Sequence, residues 1–239
     1  MSNSFFQFKQ FIIHQEHCAM KVCTDACLFG AWVAGKLAEG KWEIRNILDI
    51  GSGTGLLSLM IAQQSAAPID AVELDEAAAA QAADNFELSP WKDRLQVLQG
   101  DIRTIHLGRK YELIVSNPPF FENALKSPDQ KRNLALHSEM LQLEELIALV
   151  KRHLAPGGYC ALLLPYERKD ACISIASAAD LFAMESVAVR QSSRHGYFRV
   201  MLWFGDKPVT AELRETTIRD GDDYSTDFKT LLRPYYLGL

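Results

Sequence analysis

A glycine-rich turn follows a short apolar strand in the run Asn46-Ile47-Leu48-Asp49-Ile50-Gly51-Ser52-Gly53-Thr54-Gly55. The apolar residues after it predict a helix from Leu56 to Gln64. A buried strand, a glycine turn and a helix are typical of the start of a nucleotide-binding βαβ unit. The glycines let the backbone approach a ligand without obstruction by a Cβ atom. The spacing G-x-G-x-G differs from the dinucleotide pattern G-x-G-x-x-G, and no Lys-Ser or Lys-Thr pair follows as in a P-loop.

Acidic residues recur at the ends of three successive predicted strands. Asp49 lies at the end of the first strand, Glu73 closes the second, and Asp101 follows the third. Because the carboxyl ends of parallel strands share one edge of a sheet, we expect these carboxylates to face one ligand site. Glu73 could accept hydrogen bonds from both hydroxyls of a ribose, and Asp101 could accept one from an adenine amino group. Any one of them alone could equally be a solvated loop residue or a helix cap.

The fourth predicted strand, Leu113-Ile114-Val115, ends in the tetrapeptide Asn117-Pro118-Pro119-Phe120. The two prolines fix their own φ angles and favour extended geometry in the residue before them, so this backbone is stiff. The Asn117 amide offers an oxygen and an NH2 group, and Phe120 offers a flat apolar face. Together they suit a planar ligand with an amino group on its edge. Taken alone, the tetrapeptide is just as compatible with a rigid turn that has no chemical role.

The residues before the glycine turn predict a cap and a helix. Phenylalanines between residues 5 and 11 indicate a short hairpin or edge strand, which we expect to cover the core in preference to forming a nucleic-acid-facing arm. Thr24 or Asp25 is expected to be the N-cap of a helix that runs to about Leu37. Their position ahead of the glycine turn also makes a ligand role plausible.

The second half of the chain continues the alternation of helices and strands. Apolar periodicity predicts one or two helices over 134–154, stopped by Pro156-Gly157-Gly158, then a strand over 159–164, a helix over 167–182, and strands over 186–190 and 200–204. The polar run between the last two strands is basic and is a candidate for phosphate contact. Residues 206–239 are expected to form a tail packed on the core.

Composition limits the class of protein. The chain has 239 residues, 48% of them hydrophobic, without a run of 18 apolar residues or a signal peptide, so a cytoplasmic location is expected. A net charge of −5 argues against a protein coated in basic charge for non-specific nucleic-acid binding, although it leaves room for a local basic face. Cys18, Cys23 and Cys27 cluster without a second Cys or His pair, so we expect apolar packing and no metal site.

The glycine turn, the three carboxylates and the tetrapeptide together resemble the Rossmann-like S-adenosylmethionine-dependent methyltransferases, and within them the branch that methylates nitrogens in planar systems. The flanking segments Phe8-Lys9-Gln10-Phe11, Cys18 to Asp25 and Tyr235-Tyr236-Leu237 are similar to those of the bacterial tRNA adenine-N-6 methyltransferases of a valine tRNA. Members of that family modify the adenosine just 3′ of the anticodon. Cys23 stands where the family often has Gly, a departure that leaves the proposed catalytic residues unaffected.

The resemblance implies an α/β fold of Rossmann-like class I methyltransferase type, with a seven-stranded, mostly parallel sheet, helices on both faces and one antiparallel edge strand. A single methyltransferase domain is expected, with a cap and first helix in 1–45, a core in 46–205 and a tail in 206–239. The implied cofactor is S-adenosylmethionine and the implied partner is tRNA, held by its anticodon loop, with no membrane and no obligate protein partner.

The same resemblance assigns expected roles to individual residues. The catalytic residues are Asn117, Pro118, Pro119 and Phe120. The cofactor-binding residues are Thr24, Asp25, Asp49, Gly51, Gly53, Gly55, Glu73, Asp101 and Asn117. The candidate RNA-binding residues are Lys126, Lys131, Arg132, Arg194, His195 and Arg199.

Two alternatives remain open at the level of sequence. Enzymes that methylate guanine in rRNA or glutamine in proteins share the strand-end motif, but they usually carry a duplicated domain or a helical N-terminal domain. Neither fits the 239 residues of this chain, in which only about 45 precede the glycine turn. The alternative of a different class is a non-catalytic scaffold that binds the cofactor or RNA.

Overall fold

A computed structural model describes residues 4–18, 21–118 and 142–239. Twelve strands are found in these residues: β1 (Phe5–Gln7), β2 (Ile12–His14), β3 (Ile47–Ile50), β4 (Ile69–Glu73), β5 (Leu95–Gln99), β6 (Tyr111–Ser116), β7 (Leu154–Pro165), β8 (Phe182–Arg190), β9 (Tyr197–Gly205), β10 (Glu212–Thr217), β11 (Arg219–Asp220) and β12 (Asp223–Tyr224). The α-helices of the same residues are α1 (Thr24–Ala38), α2 (Leu56–Ala62), α3 (Glu76–Glu87), α4 (Leu143–His153), α5 (Lys169–Ala178) and α6 (Thr226–Leu232).

One eight-stranded sheet forms the centre, with the strand order β10-β8-β9-β7-β6-β3-β4-β5. Helices α1 and α2 contribute to the hydrophobic core on one face, and α4 and α5 contribute to the core on the other. The central strands are apolar throughout because both of their faces are covered, and all four residues of β3 are buried. The expected α/β class with helices on both faces is therefore confirmed.

The sheet differs from the expectation in two respects. It has eight strands instead of seven, because β10, from the expected tail, pairs in parallel with β8 and extends the sheet. The antiparallel strand is β9, which lies between β7 and β8 and not at an edge. A parallel partner for β8 was not foreseen because β10 is mostly exposed and lacks the apolar run of a buried strand.

Some element boundaries also differ from the sequence prediction. The N-cap of α1 is Cys23, so Thr24 and Asp25 lie inside the first turn. Helix α4 ends at His153 and β7 begins at once, with the Pro156-Gly157-Gly158 segment accommodated where the pairing with β6 shifts register. Four residues of β7, 155–158, lie opposite the single residue 112 of β6, and this irregularity lets turn-forming residues sit within the strand. The part of the expected helix before residue 142 lies outside the described residues.

The N-terminal hairpin and the C-terminal tail pack together, the hairpin against α3 and the tail against α1 and α2. Phe8 and Phe11 are buried, with their rings stacked at 4.5 Å between centroids. The Lys9 ammonium donates hydrogen bonds to the carbonyl oxygens of Arg233 and Leu239 at 2.6 and 2.8 Å. The hairpin therefore covers the core with its phenylalanines, except for Phe5, which is exposed.

Candidate active site

The strand order places the glycine turn beside Asn117 and Pro118. The chain builds outward from β3 through β4 to β5, then returns to place β6 on the other side of β3. Ligands of open α/β sheets bind at such a switch in strand order. Ile50 pairs with Ser116, and the Ser116 hydroxyl donates to the Ile50 carbonyl at 2.7 Å. The two strand ends are thus one strand spacing apart, about 4.8 Å.

The glycine turn leaves open space above the sheet. Gly51 and Gly53 have positive φ angles of 72° and 54°. A Cβ atom added at either position would meet no atom of the described residues within 4 Å, so the backbone here borders open space and not packed protein. This open cradle fits a ligand that lies against the turn.

Gly55 serves packing instead. It has a φ of 79° and is buried at the N-cap of α2. A Cβ atom there would lie 2.4 Å from a ring carbon of Phe86. The third glycine of the motif therefore allows close contact between the turn and α3, a role that the spacing of the motif alone does not reveal.

Glu73 is held in place by the backbone. The Gly53 N–H donates to Glu73 Oε2 at 2.8 Å, and the Asp75 N–H donates to Oε1 at 3.0 Å. The carboxylate is partly exposed, and each oxygen retains a lone pair beyond these bonds. It is thus oriented to accept further hydrogen bonds from a ligand such as a ribose.

Asp101 already has a partner. The Arg103 guanidinium binds both of its carboxylate oxygens, with Nε at 2.8 and 2.9 Å, and holds the pKa of this carboxyl below its usual value. The carboxylate is 26% exposed, so it remains accessible from outside. A ligand amino group would share Asp101 with Arg103.

Asp49 lies beneath the turn, out of contact with solvent. Its Oδ2 accepts a hydrogen bond from the Ser58 hydroxyl at 2.7 Å, while Oδ1 is buried and has no hydrogen-bond partner among the described residues. Burial, with a smaller contribution from the negative charge of Glu73, raises the pKa of Asp49 to about 7. The arrangement suits support of the turn, since a fully buried side chain does not reach a ligand above it.

Asn117 and Pro118 follow β6 directly, with Asn117 partly exposed and Pro118 buried. This places an amide side chain at the edge shared with the glycine turn. Pro119 and Phe120 lie outside the described residues, as do Lys126, Lys131 and Arg132.

The N-terminus of α1 is joined to β9 by an ion pair. Arg199 Nε donates to Asp25 Oδ2 at 2.8 Å, and both side chains are mostly buried, at 23% and 13% exposure. Asp25 thus has a structural partner, and Arg199 is a poor candidate for an exposed phosphate contact. Arg194 and His195 are exposed in the loop between β8 and β9, which is compatible with their expected role.

Asn85 is a residue of the site that the sequence reading missed. It is 1% exposed on α3. Its Oδ1 accepts from the His14 N–H at 2.9 Å, and its Nδ2 donates to the carbonyls of His14 and Thr54, both at 2.9 Å. One side chain therefore ties β2 to the glycine turn. The only signal in the sequence is a polar residue of modest helix propensity within an alanine-rich helix.

The cysteine cluster has the properties of unreactive thiols. Burial raises the pKa of Cys23 and Cys27 to about 12 and that of Cys18 to about 11. Cys27 is buried as expected, whereas Cys18 and Cys23 are partly exposed. The described residues contain no group of three or more His, Cys, Asp or Glu side chains placed to hold a metal ion.

Comparison with known proteins identifies the family. The profile of the methyltransferase small domain family matches residues 36–169. A protein of Bacteroides thetaiotaomicron named tRNA1(Val) (adenine(37)-N6)-methyltransferase is 40% identical over 244 residues, with 100% of both chains covered. Proteins of the same name from Parabacteroides distasonis and Tolumonas auensis are 38% and 39% identical, with at least 98% of each chain covered. This chain belongs to that methyltransferase family. The family expected from the sequence is confirmed.

Solved methyltransferase structures share the fold. A predicted O-methyltransferase from Agrobacterium tumefaciens aligns with a TM-score of 0.63 at 17% identity, covering 88% of this chain and 96% of the other. A glycopeptide N-methyltransferase solved with S-adenosylmethionine aligns with a TM-score of 0.52 at 14% identity, covering 73% and 93%. None of the helices within 4–18, 21–118 and 142–239 is both long and apolar enough to cross a bilayer.

Proposed function

We propose that this methyltransferase moves a methyl group from S-adenosylmethionine to the exocyclic amino group of adenosine 37 in the anticodon loop of tRNA1(Val). The reaction is the one in the names of relatives that match this chain end to end. The observation that carries it is the position of Asn117 and Pro118, which follow the strand next to the glycine turn. Cofactor cradle and amine-binding group are thereby on neighbouring strands.

The geometry of the turn supports the proposed binding of the cofactor. Gly51 and Gly53 would border the methionine end, where no Cβ atom obstructs approach. Glu73 would accept hydrogen bonds from the ribose hydroxyls, and Asp101 would accept one from the adenine amino group. When bound, S-adenosylmethionine supplies an electrophilic methyl group on a sulfonium. Thr24 and Asp25, at the start of α1, would help to close this pocket.

The target amine needs activation because its lone pair is conjugated with the adenine ring. The Asn117 side-chain oxygen and the Pro118 carbonyl would accept hydrogen bonds from its two N–H groups, which favours the pyramidal geometry of the attacking nitrogen. Both acceptors stand on a stiff backbone, so catalysis is chiefly by positioning. The amine carries a positive charge once it is methylated, which makes it strongly acidic. Its extra proton can therefore leave to water. The base must leave its stack to reach this site, which is easiest in a single-stranded loop.

Phe120 would stack on the flipped base. Pro119 would fix the backbone between Pro118 and Phe120. Lys126, Lys131, Arg132, Arg194 and His195 are the proposed RNA contacts. Arg199 would not contact RNA; its ion pair with Asp25 would support the edge of the site.

The first test is methyl transfer to tRNA that lacks the modification, with nucleoside analysis of the product. The Asn117→Ala variant should lose about 100-fold or more in kcat while its affinity for S-adenosylmethionine stays near that of the wild type. Asn117→Asp keeps an acceptor oxygen in the same place and should lose less. Normal turnover by Asn117→Ala would contradict the role of the amide.

The same assay separates the alternatives. Methylated guanine in rRNA or methylated glutamine in protein would favour the related enzyme classes. Cofactor binding without transfer to any of these substrates would favour a scaffold.

A further inference from the structure

Two tyrosines lie together at the same edge of the sheet as Asn117 and Pro118. Tyr166 follows β7, and Tyr197 opens the antiparallel neighbour β9. Their ring centroids are 5.0 Å apart, with the ring planes inclined by 40°. Both side chains are partly exposed, so this pair, the tyrosine pair, is not part of the buried core.

The tyrosine pair lies close to the proposed catalytic end of β6. Ser116 pairs with Leu162, and β7 continues three residues further to Pro165. Tyr166 is four residues past Leu162, so with about 3.3 Å per residue along a strand and about 4.8 Å between strands it lies about 14 Å from Ser116 at the end of β6. A nucleotide next to a base bound at Asn117 would reach this position.

Cations accompany both rings. The Lys169 ammonium lies 5.4 Å from the ring centroid of Tyr166, and the Arg190 guanidinium lies 5.5 Å from that of Tyr197. The Tyr197 hydroxyl donates a hydrogen bond to Glu215, which also accepts one from Arg190 at 3.0 Å. The Tyr197 ring is therefore fixed, and positive charge lies beside a flat aromatic surface, the combination that binds single-stranded nucleic acid.

Acidic residues limit the electrostatic contribution. Lys169 is within 3.5 Å of Asp170, and Glu167 is exposed nearby. Glu215 also lines a cavity of about 290 Å³, whose wall carries the carboxylates of Asp220 and Asp227 together with the guanidinium of Arg219. Recognition here would therefore depend more on stacking than on charge, in keeping with the net charge of −5.

We propose that the tyrosine pair is a stacking platform for an unpaired base that neighbours the target adenosine in the RNA substrate. The proposal rests on the proposed function, because it assumes that the substrate is an RNA loop. It adds a subsite that binds any of the four bases, because every base offers a π face for stacking.

Tyr166 allows a matched pair of variants, because its hydroxyl makes no hydrogen bond to another described residue. Tyr166→Phe keeps the ring, whereas Tyr166→Leu keeps an apolar side chain without it. We expect Tyr166→Leu to raise the KM for tRNA roughly 5- to 100-fold, and Tyr166→Phe to leave it near the wild-type value. Affinity for S-adenosylmethionine and kcat at saturating tRNA should not change in either variant.

A second measurement separates stacking from a structural effect. The substrate for this measurement is tRNA in which the nucleotide proposed to stack on the tyrosine pair, next to the target adenosine, is abasic. With this tRNA the difference in KM between Tyr166→Leu and Tyr166→Phe should disappear. A difference that persists with abasic sites on either side would overturn the proposal, and so would equal KM values for the two variants on intact tRNA. Failure of the wild type to methylate tRNA would instead overturn the proposed function itself.

Discussion

Among single residues, Asp49 has the clearest electrostatic consequence. Its pKa is raised from the usual 3.8 to about 7, chiefly by burial. Between these values the unfolded chain releases the proton while the folded protein keeps it. Stability contributed by this group is therefore complete below about pH 4 and is lost as the pH rises towards 7.

The Asp49→Asn variant removes this titration while keeping an acceptor for Ser58. We expect the stability of the wild type, measured against that of the variant, to fall with rising pH between 5 and 7 by about 1.4 kcal/mol per pH unit. Above the folded pKa the difference should level off. Urea unfolding of both proteins at a series of pH values measures this difference. If the free energies of unfolding of the two proteins changed in parallel with pH, the raised pKa of Asp49 would be contradicted.

Two glycines of the turn should respond differently to substitution. Gly55→Ala combines a positive φ with a collision at Phe86, so its free energy of unfolding should fall by about 3 kcal/mol. Gly51→Ala has a similar φ but open space, and should lose about 1 kcal/mol. Gly51→Ala should weaken cofactor binding more than it weakens the fold. Urea unfolding and calorimetric titration separate the two effects, and equal stability losses would show that Phe86 moves aside.

At the scale of elements, Asn85 joins α3, the N-terminal hairpin and the glycine turn. Asn85→Asp would place a carboxylate against the carbonyls of His14 and Thr54. We expect a loss of about 3 kcal/mol or more in stability, and a weaker affinity for S-adenosylmethionine with little change in kcat at saturation.

The neighbouring Asp84 offers a matched control, because it lies on the exposed side of the same helix. Asp84→Asn exchanges a carboxylate and an amide in the opposite direction, and should change the free energy of unfolding by no more than about 0.5 kcal/mol. If Asn85→Asp were equally harmless, the hydrogen bonds to the turn would not be what positions it.

At the scale of the whole molecule, the tail closes the fold through Tyr235. This side chain is 1% exposed, and its hydroxyl donates to the Met60 carbonyl on α2 at 3.0 Å. Tyr235→Phe removes the hydroxyl with its hydrogen bond to Met60 and keeps the ring, and should cost about 1 kcal/mol. Tyr235→Ala also leaves a cavity between the tail and the core and should cost about 4 kcal/mol. Thermal unfolding compares them, and similar Tm values for the two variants would mean that the ring contributes little.

The local part of the fold and site could be predicted from sequence because short-range patterns specify it. The apolar runs of β3 and β6, the glycine turn and the stiff Asn117-Pro118 strand end each carry their own signal over a few residues. Parallel strands then bring their carboxyl ends to one edge, so Glu73, Asp101 and Asn117 could be grouped without coordinates.

Contacts between distant parts of the chain were decided only by the tertiary structure. Arg199 meets Asp25 across 174 positions, and Asn85 meets His14 across 71. Likewise β10 joins the sheet through a largely exposed strand, and Tyr166 meets Tyr197 only because β7 and β9 are neighbours. No periodicity marks such pairs, because each depends on where whole strands and helices pack. The sequence by itself determined the fold class and the edge of the sheet at which the candidate site lies, whereas packing determined which side chains support that edge.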